Sequence, residues 1–145
     1  MTNAEEAERL SRKRAGMMPV LGVLLIVQQG IFFTDEDTHR LVDQIRTTGW
    51  LALAAVILAA LVTGGYWFKS REVRALMDDD VTRANRASAL TLGFVMAIAT
   101  AIALYAIEAF VPGSVTTREA IHVIVTIGLF GALLRFGLLE RRSLG

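Results

Sequence analysis

Residues 49–68 read GWLALAAVILAALVTGGYWF, a run without a single charged side chain. A helix needs about 20 residues to cross the hydrocarbon core of a bilayer, which is about 30 Å thick. A helix of a soluble domain would place polar residues along one face, and this run has no such polar face. Because backbone groups cannot stay unpaired in hydrocarbon, the run predicts a membrane-spanning α-helix.

Three further apolar runs of similar length lie on either side of this one. Residues 15–33 carry no charge, residues 87–111 carry only Glu108, and residues 120–139 carry only Arg135. We expect the first run to remain as a span rather than to be cleaved as a signal peptide, because no small-residue cleavage motif follows it. The sequence therefore predicts an all-α, polytopic membrane protein, in which a bundle of four transmembrane helices forms one domain over the whole chain.

Basic residues are distributed unevenly between the two ends of these predicted helices. Cytoplasmic loops keep Lys and Arg during membrane insertion, whereas translocated loops are depleted of them. Twelve of the 15 basic residues fall on the side that carries both chain termini, and three fall in the opposite loops, residues 34–48 and 112–119. This bias predicts that both termini are cytoplasmic.

Several classes of function lack their sequence signals. The formal net charge is +1 and no basic run is interleaved with aromatic residues, so we expect no direct binding of nucleic acid. The chain has no cysteine, which excludes disulfides, thiolate metal ligands and sulfur nucleophiles. No glycine-rich phosphate loop, nucleophile elbow or cluster of metal ligands is present, and we therefore expect no enzyme activity, no metal and no cofactor.

The segment RALMDDDVTRANRASAL, residues 74–90, combines three aspartates with arginines just before the third apolar run. Aspartates at a helix N-terminus accept hydrogen bonds from its free backbone N–H groups and meet the positive end of its dipole. We predict a capped helix start here, with Arg83 spaced to pair with Asp79 or Asp80. A divalent-cation site is the alternative, and it would need further carboxylates. The candidate partner-binding residues on this cytoplasmic side are Arg74, Asp78, Asp79, Asp80, Arg83 and Arg86.

A second candidate site consists of polar residues within or at the rim of the apolar runs, namely Gln28, Gln29, Glu108, Arg118 and His122. An ionisable side chain in hydrocarbon is costly and is tolerated mainly where it is paired or functional. We predict that Glu108 pairs with Arg118 or His122 at the outer rim, with a proton or ligand site as the alternative. The glutamines are expected to form hydrogen bonds between helices, because an amide that faces lipid would have no partner.

Pairs of small residues four positions apart recur within the apolar runs. Such pairs allow two helix backbones to approach closely. The pairs are Ala55 and Ala59, Ala60 and Gly64, Gly93 and Ala97, Ala97 and Ala101, and Gly128 and Ala132. They predict helix contacts that lie either within the chain or between this chain and another, in a homodimer or in a complex with a different protein.

One part of the chain is similar to known proteins. Residues 77–94 (MDDDVTRANRASALTLGF), the PGS turn at 112–114 and the ending LLRFGLLERR at 133–142 resemble small four-helix bacterial inner-membrane proteins of unknown function. Some of those proteins are encoded beside helix-turn-helix regulators. The resemblance implies a multi-pass protein of the cell inner (cytoplasmic) membrane that binds a soluble regulator or a membrane partner.

Two classes of function stay open at this point. The first is a regulatory or scaffolding protein that lies in the lipid bilayer and binds a partner protein. The second is a small transporter or channel subunit that works as a dimer. Small multidrug antiporters also have four short spans, but they rely on a glutamate in the first helix, where this chain has Gln28 and Gln29.

Overall fold

The computed structural model describes residues 2–34, 40–65, 67 and 70–143, and of residues 3, 31–34 and 40–43 it describes the backbone alone. Within these ranges the chain forms five α-helices and no strand. The helices are α1 Asn3–Thr34, α2 Arg40–Thr63, α3 Arg71–Met77, α4 Asp80–Phe110 and α5 Thr117–Ser143. The prediction of an all-α fold is confirmed.

Three of the described helices are long and apolar enough to cross a membrane. These stretches are Gln44–Thr63 in α2, Asp80–Phe110 and Thr117–Ser143. The prediction of four such helices is therefore wrong for the described part of the chain, and the missing one is the predicted span 15–33. Arg14 directly precedes the apolar residues of that span, and Gln28 and Gln29 interrupt them. This leaves fewer apolar residues than the roughly 20 that a span requires.

Helix α5 lies at the centre of the bundle. Half of its most apolar stretch is buried (50%), compared with 6% of the corresponding stretch of α4. The core contains apolar side chains of four helices: Met18 and Leu25 from α1, Ala54, Ile57 and Leu61 from α2, Ala89 from α4, and Leu129, Ala132, Leu133 and Phe136 from α5. The outward faces of α2 and α4 expose large apolar residues such as Val62, Phe94 and Ile102. Acyl chains suit these faces better than water does.

Small residues bring α4 and α5 into close contact. A Cβ atom added to Gly93 would lie 2.6 Å from the carbonyl oxygen of Gly128 and 2.8 Å from Cβ of Ala132. A Cβ atom added to Gly128 would lie 3.0 Å from Cβ of Ala97. Two of the predicted small-residue pairs therefore form a contact within the chain.

Helix α1 runs antiparallel to α5. Arg14 contacts Glu140 at one end of the pair, and Gln29 contacts Thr126 towards the other end. We refer to the end that holds Arg14 and Glu140 as the inner end, and to the opposite end as the outer end. The inner end also contains the end of α2, the whole of α3 and the start of α4, whose residues contact Arg14.

The segment between α2 and α4 turns at two glycines. Gly64 and Gly65 have φ angles of 82° and 71°, in the left-handed region that residues with a Cβ atom avoid. Helix α2 therefore ends at Thr63, before the end of the predicted span. Helix α3 follows and packs on the start of α1 through a buried cluster formed by Ala7, Leu10, Val73 and Met77.

Candidate binding site

Two of the three consecutive aspartates stabilise the start of α4. Asp79 is its N-cap residue, and the Asp79 carboxylate accepts a hydrogen bond of 2.7 Å from the backbone N–H of Thr82. Asp80 forms an exposed ion pair of 3.2 Å with Arg83. The predicted capped start and the Asp80–Arg83 pair are confirmed, whereas Asp79 bonds to backbone instead of to Arg83. No group of three His, Cys, Asp or Glu side chains in the described residues could hold a metal ion, so the cation alternative lacks its ligands there.

The third aspartate, Asp78, connects three helices. Its backbone N–H donates to the carbonyl of Arg74 and caps α3. Its carboxylate lies 3.0 Å from Nη1 of Arg86 in α4. The Arg86 guanidinium also lies against the end of α2. Its Nη1 atom is 2.6 Å from the position that a Cβ atom on Gly64 would take. The backbone angle thus favours glycine at position 64, and a side chain there would also displace the Arg86 guanidinium.

A buried ion pair joins α1 to α5 at the inner end. Nη2 of Arg14 is 2.8 Å from Oε2 of Glu140, and each side chain is 2% exposed. Nη2 also donates to the Met77 carbonyl at 3.3 Å and to the Thr82 hydroxyl at 3.4 Å. Nη1 donates to the carbonyl of Gly64 at 3.3 Å. One guanidinium therefore contacts the ends or starts of α2, α3, α4 and α5 together.

Two further groups contact this ion pair. The side-chain amide of Asn85 donates to the second carboxylate oxygen of Glu140 at 3.2 Å. The guanidinium carbon of Arg14 lies 5.4 Å from the centre of the Phe136 ring, within the range of a cation–π contact. A buried charge is tolerated when it is paired and hydrogen-bonded, and this pair meets both conditions.

A cavity of about 430 Å³ lies beside the buried pair at the inner end. Four arginines and one acid are among its lining residues: Arg14, Arg71, Arg74, Arg83 and Asp78. Arg71 and Arg74 are exposed, and neither forms an ion pair with any residue that the structure describes. The structure thus brings Arg74, Asp78 and Arg83 of the predicted partner-binding set together in a concave basic surface. Sequence reasoning did not include Arg14 and Arg71 in that surface.

The polar residues predicted within the spans have different environments. Gln29 is buried, and its carbonyl oxygen accepts a hydrogen bond of 3.1 Å from the hydroxyl of Thr126. The predicted hydrogen bond between helices is therefore confirmed for Gln29, while Gln28 is half-buried. His122 is buried and stacks on the ring of Trp50, with ring centres 4.0 Å apart. Thr126 and Trp50 were not predicted as members of this polar group.

The predicted pairing of Glu108 with Arg118 or His122 is wrong. The Glu108 carboxylate instead accepts hydrogen bonds from the following turn, namely from Gly113 N–H (2.6 Å), Ser114 Oγ–H (3.4 Å) and Val115 N–H (3.3 Å). The chain reverses directly after α4, so these donors lie within reach of the carboxylate. Arg118 donates a hydrogen bond to the hydroxyl of Thr47 in α2. Glu108 therefore closes the turn between α4 and α5.

Comparison of the chain with family models, curated proteins and solved structures found no match. The geometry of the inner end indicates what this site can do chemically. The buried pair holds the surrounding helix ends together, and the cavity beside it presents guanidinium groups on these ends. Such a surface can bind a group of opposite charge with little rearrangement of its own.

Proposed function

We propose that this protein is an integral membrane protein that binds a partner at the inner end of its bundle and acts in regulation or scaffolding rather than in catalysis. The observation that carries this proposal is the Arg14–Glu140 network, through which one guanidinium contacts residues of all the other helices or their ends. A surface held in this way loses little conformational entropy when a partner binds.

We place the bundle in the cell inner membrane, with both termini in the cytoplasm. Residues 15–30 of α1 would lie in the same hydrocarbon layer as the α5 segment on which they pack. Val20, Val23 and Val27 support this placement, because these side chains face outward from the bundle and are more than half exposed. Twelve of the 15 basic residues lie on the side of the termini, which favours a cytoplasmic inner end.

The surface formed by α3 and the start of α4 suits a soluble protein partner. Leu76 and Val81 are 54% and 52% exposed there. Along the chain they alternate with the charged residues Arg74, Asp80 and Arg83, two of which form an exposed pair. Exposed apolar residues surrounded by charges are typical of a protein-binding surface, in which the apolar centre contributes affinity and the charged rim contributes specificity.

Charge reversal at Asp80 tests this proposal. The Asp80 side chain is 97% exposed, so Asp80→Lys should leave the fold intact and reduce capture of a cytoplasmic partner by the full chain about tenfold or more. The readout is the amount of that partner that co-purifies with the protein from solubilised membranes.

The matched control for this experiment is Glu5→Lys. Glu5 is an exposed acid in the first turn of α1 and undergoes the same change of charge, but it does not line the depression that contains Leu76 and Val81. Capture should persist in this variant. Equal recovery of the partner with Asp80→Lys and with the unchanged protein would contradict the proposal, as would the absence of any specific partner.

A small transporter or channel subunit is the second candidate function. The buried polar group formed by Gln29, Thr126 and His122 favours it, because polar side chains inside a membrane bundle often mark a pathway for ions or substrate.

If the bundle conducts protons, vesicles that contain the protein should dissipate an imposed pH gradient, which a pH-sensitive dye reports. Gln29→Leu should then reduce the rate to that of empty vesicles, whereas Gln28→Leu should retain it. Equal rates in protein-containing and empty vesicles would exclude proton flux through the bundle.

A further inference from the structure

We infer that the cavity at the inner end binds a phosphate-bearing anion. This inference rests on the proposed binding role of the inner end and specifies the chemistry of one ligand. The cavity measures about 430 Å³, and sites for small ligands or headgroups usually span about 300–1,000 Å³.

The charge balance of the lining is positive. Asp78, the acid of the lining, pairs with Arg86 at 3.0 Å. Arg83 pairs with Asp80 at 3.2 Å, and Arg14 is neutralised by Glu140. Arg71 and Arg74 then remain as two cationic groups without an ion-pair partner among the described residues. An anion that enters the cavity would compensate these charges.

A buried donor at the cavity also lacks a partner. Arg14 lines the cavity and is 2% exposed, and its Nε atom has no hydrogen-bond partner within the described residues. A buried N–H group without an acceptor is unfavourable, and an oxygen of a bound anion could supply one. Phosphate oxygens match this donor and the planar guanidinium groups of Arg71 and Arg74, because Arg forms charge-assisted and often bidentate hydrogen bonds with phosphate.

The cavity lies at the depth of lipid headgroups if the bundle is embedded as proposed. Thr63, the last residue of the α2 span, lines the cavity together with the two glycines that follow it. The indole N–H of Trp67 donates to the Thr63 hydroxyl at 2.6 Å, and Trp is the residue most typical of the membrane–water interface. Basic pockets at this depth between membrane helices bind lipid headgroups. The phosphate group could therefore belong to an anionic lipid or to a soluble phosphate compound.

Removal of the two unpaired arginines tests the inference. The full chain is purified in non-ionic detergent with phosphatidylcholine. Inorganic phosphate is then titrated by calorimetry against sodium chloride of equal ionic strength. In parallel, native mass spectrometry records binding of phosphatidylglycerol. We expect saturable binding of one phosphate group per chain, and we expect Arg71→Gln with Arg74→Gln to weaken it at least about tenfold. These side chains are exposed, so the double variant should fold normally by circular dichroism.

The matched control is Arg141→Gln with Arg142→Gln, which removes two exposed charges from the same end outside the cavity. This control should bind as the unchanged chain does. Binding of phosphatidylglycerol alone supports a lipid as the source of the phosphate, and binding of both probes supports a site that also accepts a soluble phosphate compound. The inference is overturned if neither probe binds, or if both double variants lose equal affinity. Because Asp80 does not line the cavity, capture of a protein partner can fail or succeed independently of these results.

Discussion

Replacement of Arg14 by alanine is expected to lower the free energy of unfolding by about 3–5 kcal/mol, because it leaves the Glu140 carboxylate buried without its counter-charge. The loss also removes hydrogen bonds to the Gly64 and Met77 carbonyls. The measurement is reversible unfolding in mixed micelles, followed by far-UV circular dichroism. The inner end of the variant should also become more accessible to protease. The end of α2, helix α3 and the start of α4 would all lose their contact with the Arg14 guanidinium.

A second Arg–Glu pair in the same protein provides the control. Arg12 and Glu8 are 2.9 Å apart, almost the same distance as Arg14 and Glu140 at 2.8 Å. Their side chains are 65% and 61% exposed, whereas those of the buried pair are 2% exposed. Because exposed pairs contribute about 0–1 kcal/mol, Arg12→Ala should change stability by less than about 1 kcal/mol. The comparison isolates the effect of burial on two Arg–Glu pairs with nearly the same distance between their charged atoms.

A double substitution separates the cost of an unpaired charge from the value of the pair. Arg14→Met together with Glu140→Leu removes both charges, so no charge remains buried without its partner. We expect this variant to be more stable than Arg14→Ala, because replacing a whole buried ion pair by apolar residues is often neutral or stabilising. Equal effects of Arg14→Ala and Arg12→Ala would contradict the assigned role of the buried pair. So would a double variant that is no more stable than Arg14→Ala.

The helices themselves could be predicted from the sequence because their signals are local. Charge-free runs indicate helices in hydrocarbon. An Asp directly before a predicted helix indicates an N-cap, and Asp79 confirms this signal. The end of α2 also had a local signal in Gly64 and Gly65, which the apolar character of the following residues obscured. The contact between α4 and α5 could be anticipated from small residues, although their spacing alone does not assign a partner helix.

The centre of the candidate site could not be predicted in the same way. Arg14 and Glu140 are 126 residues apart, and their contact depends on the register of α1 against α5. One signal existed, because Arg14 is the last charge before the first apolar run and Glu140 is the first acid after the last run. Antiparallel packing of these runs brings the two residues to the same depth. For Glu108 the expectation of a side-chain partner failed because backbone donors of its own turn lie closer in sequence.

Gly93→Ala is expected to destabilise the bundle by about 1–3 kcal/mol, the usual cost of adding a methyl group to a packed contact. The new Cβ atom would lie 2.6 Å from the carbonyl oxygen of Gly128, a backbone atom that can move only if the helix moves. It would also lie 2.8 Å from Cβ of Ala132. Helices α4 and α5 must therefore separate at this crossing and lose dispersion contacts along both faces.

The control for this substitution is Gly16→Ala in α1. Apart from the neighbouring residues and backbone of its own helix, no atom lies within 4 Å of the position that a Cβ on Gly16 would take, so the substitution introduces no clash. Both glycines lie inside helices, and replacement by alanine should favour the helix by up to about 1 kcal/mol at either site. The difference between the two variants in unfolding free energy thus reports the steric cost at the α4–α5 contact. If Gly93→Ala proved as stable as Gly16→Ala, the two helices could not pack as closely as the structure places them.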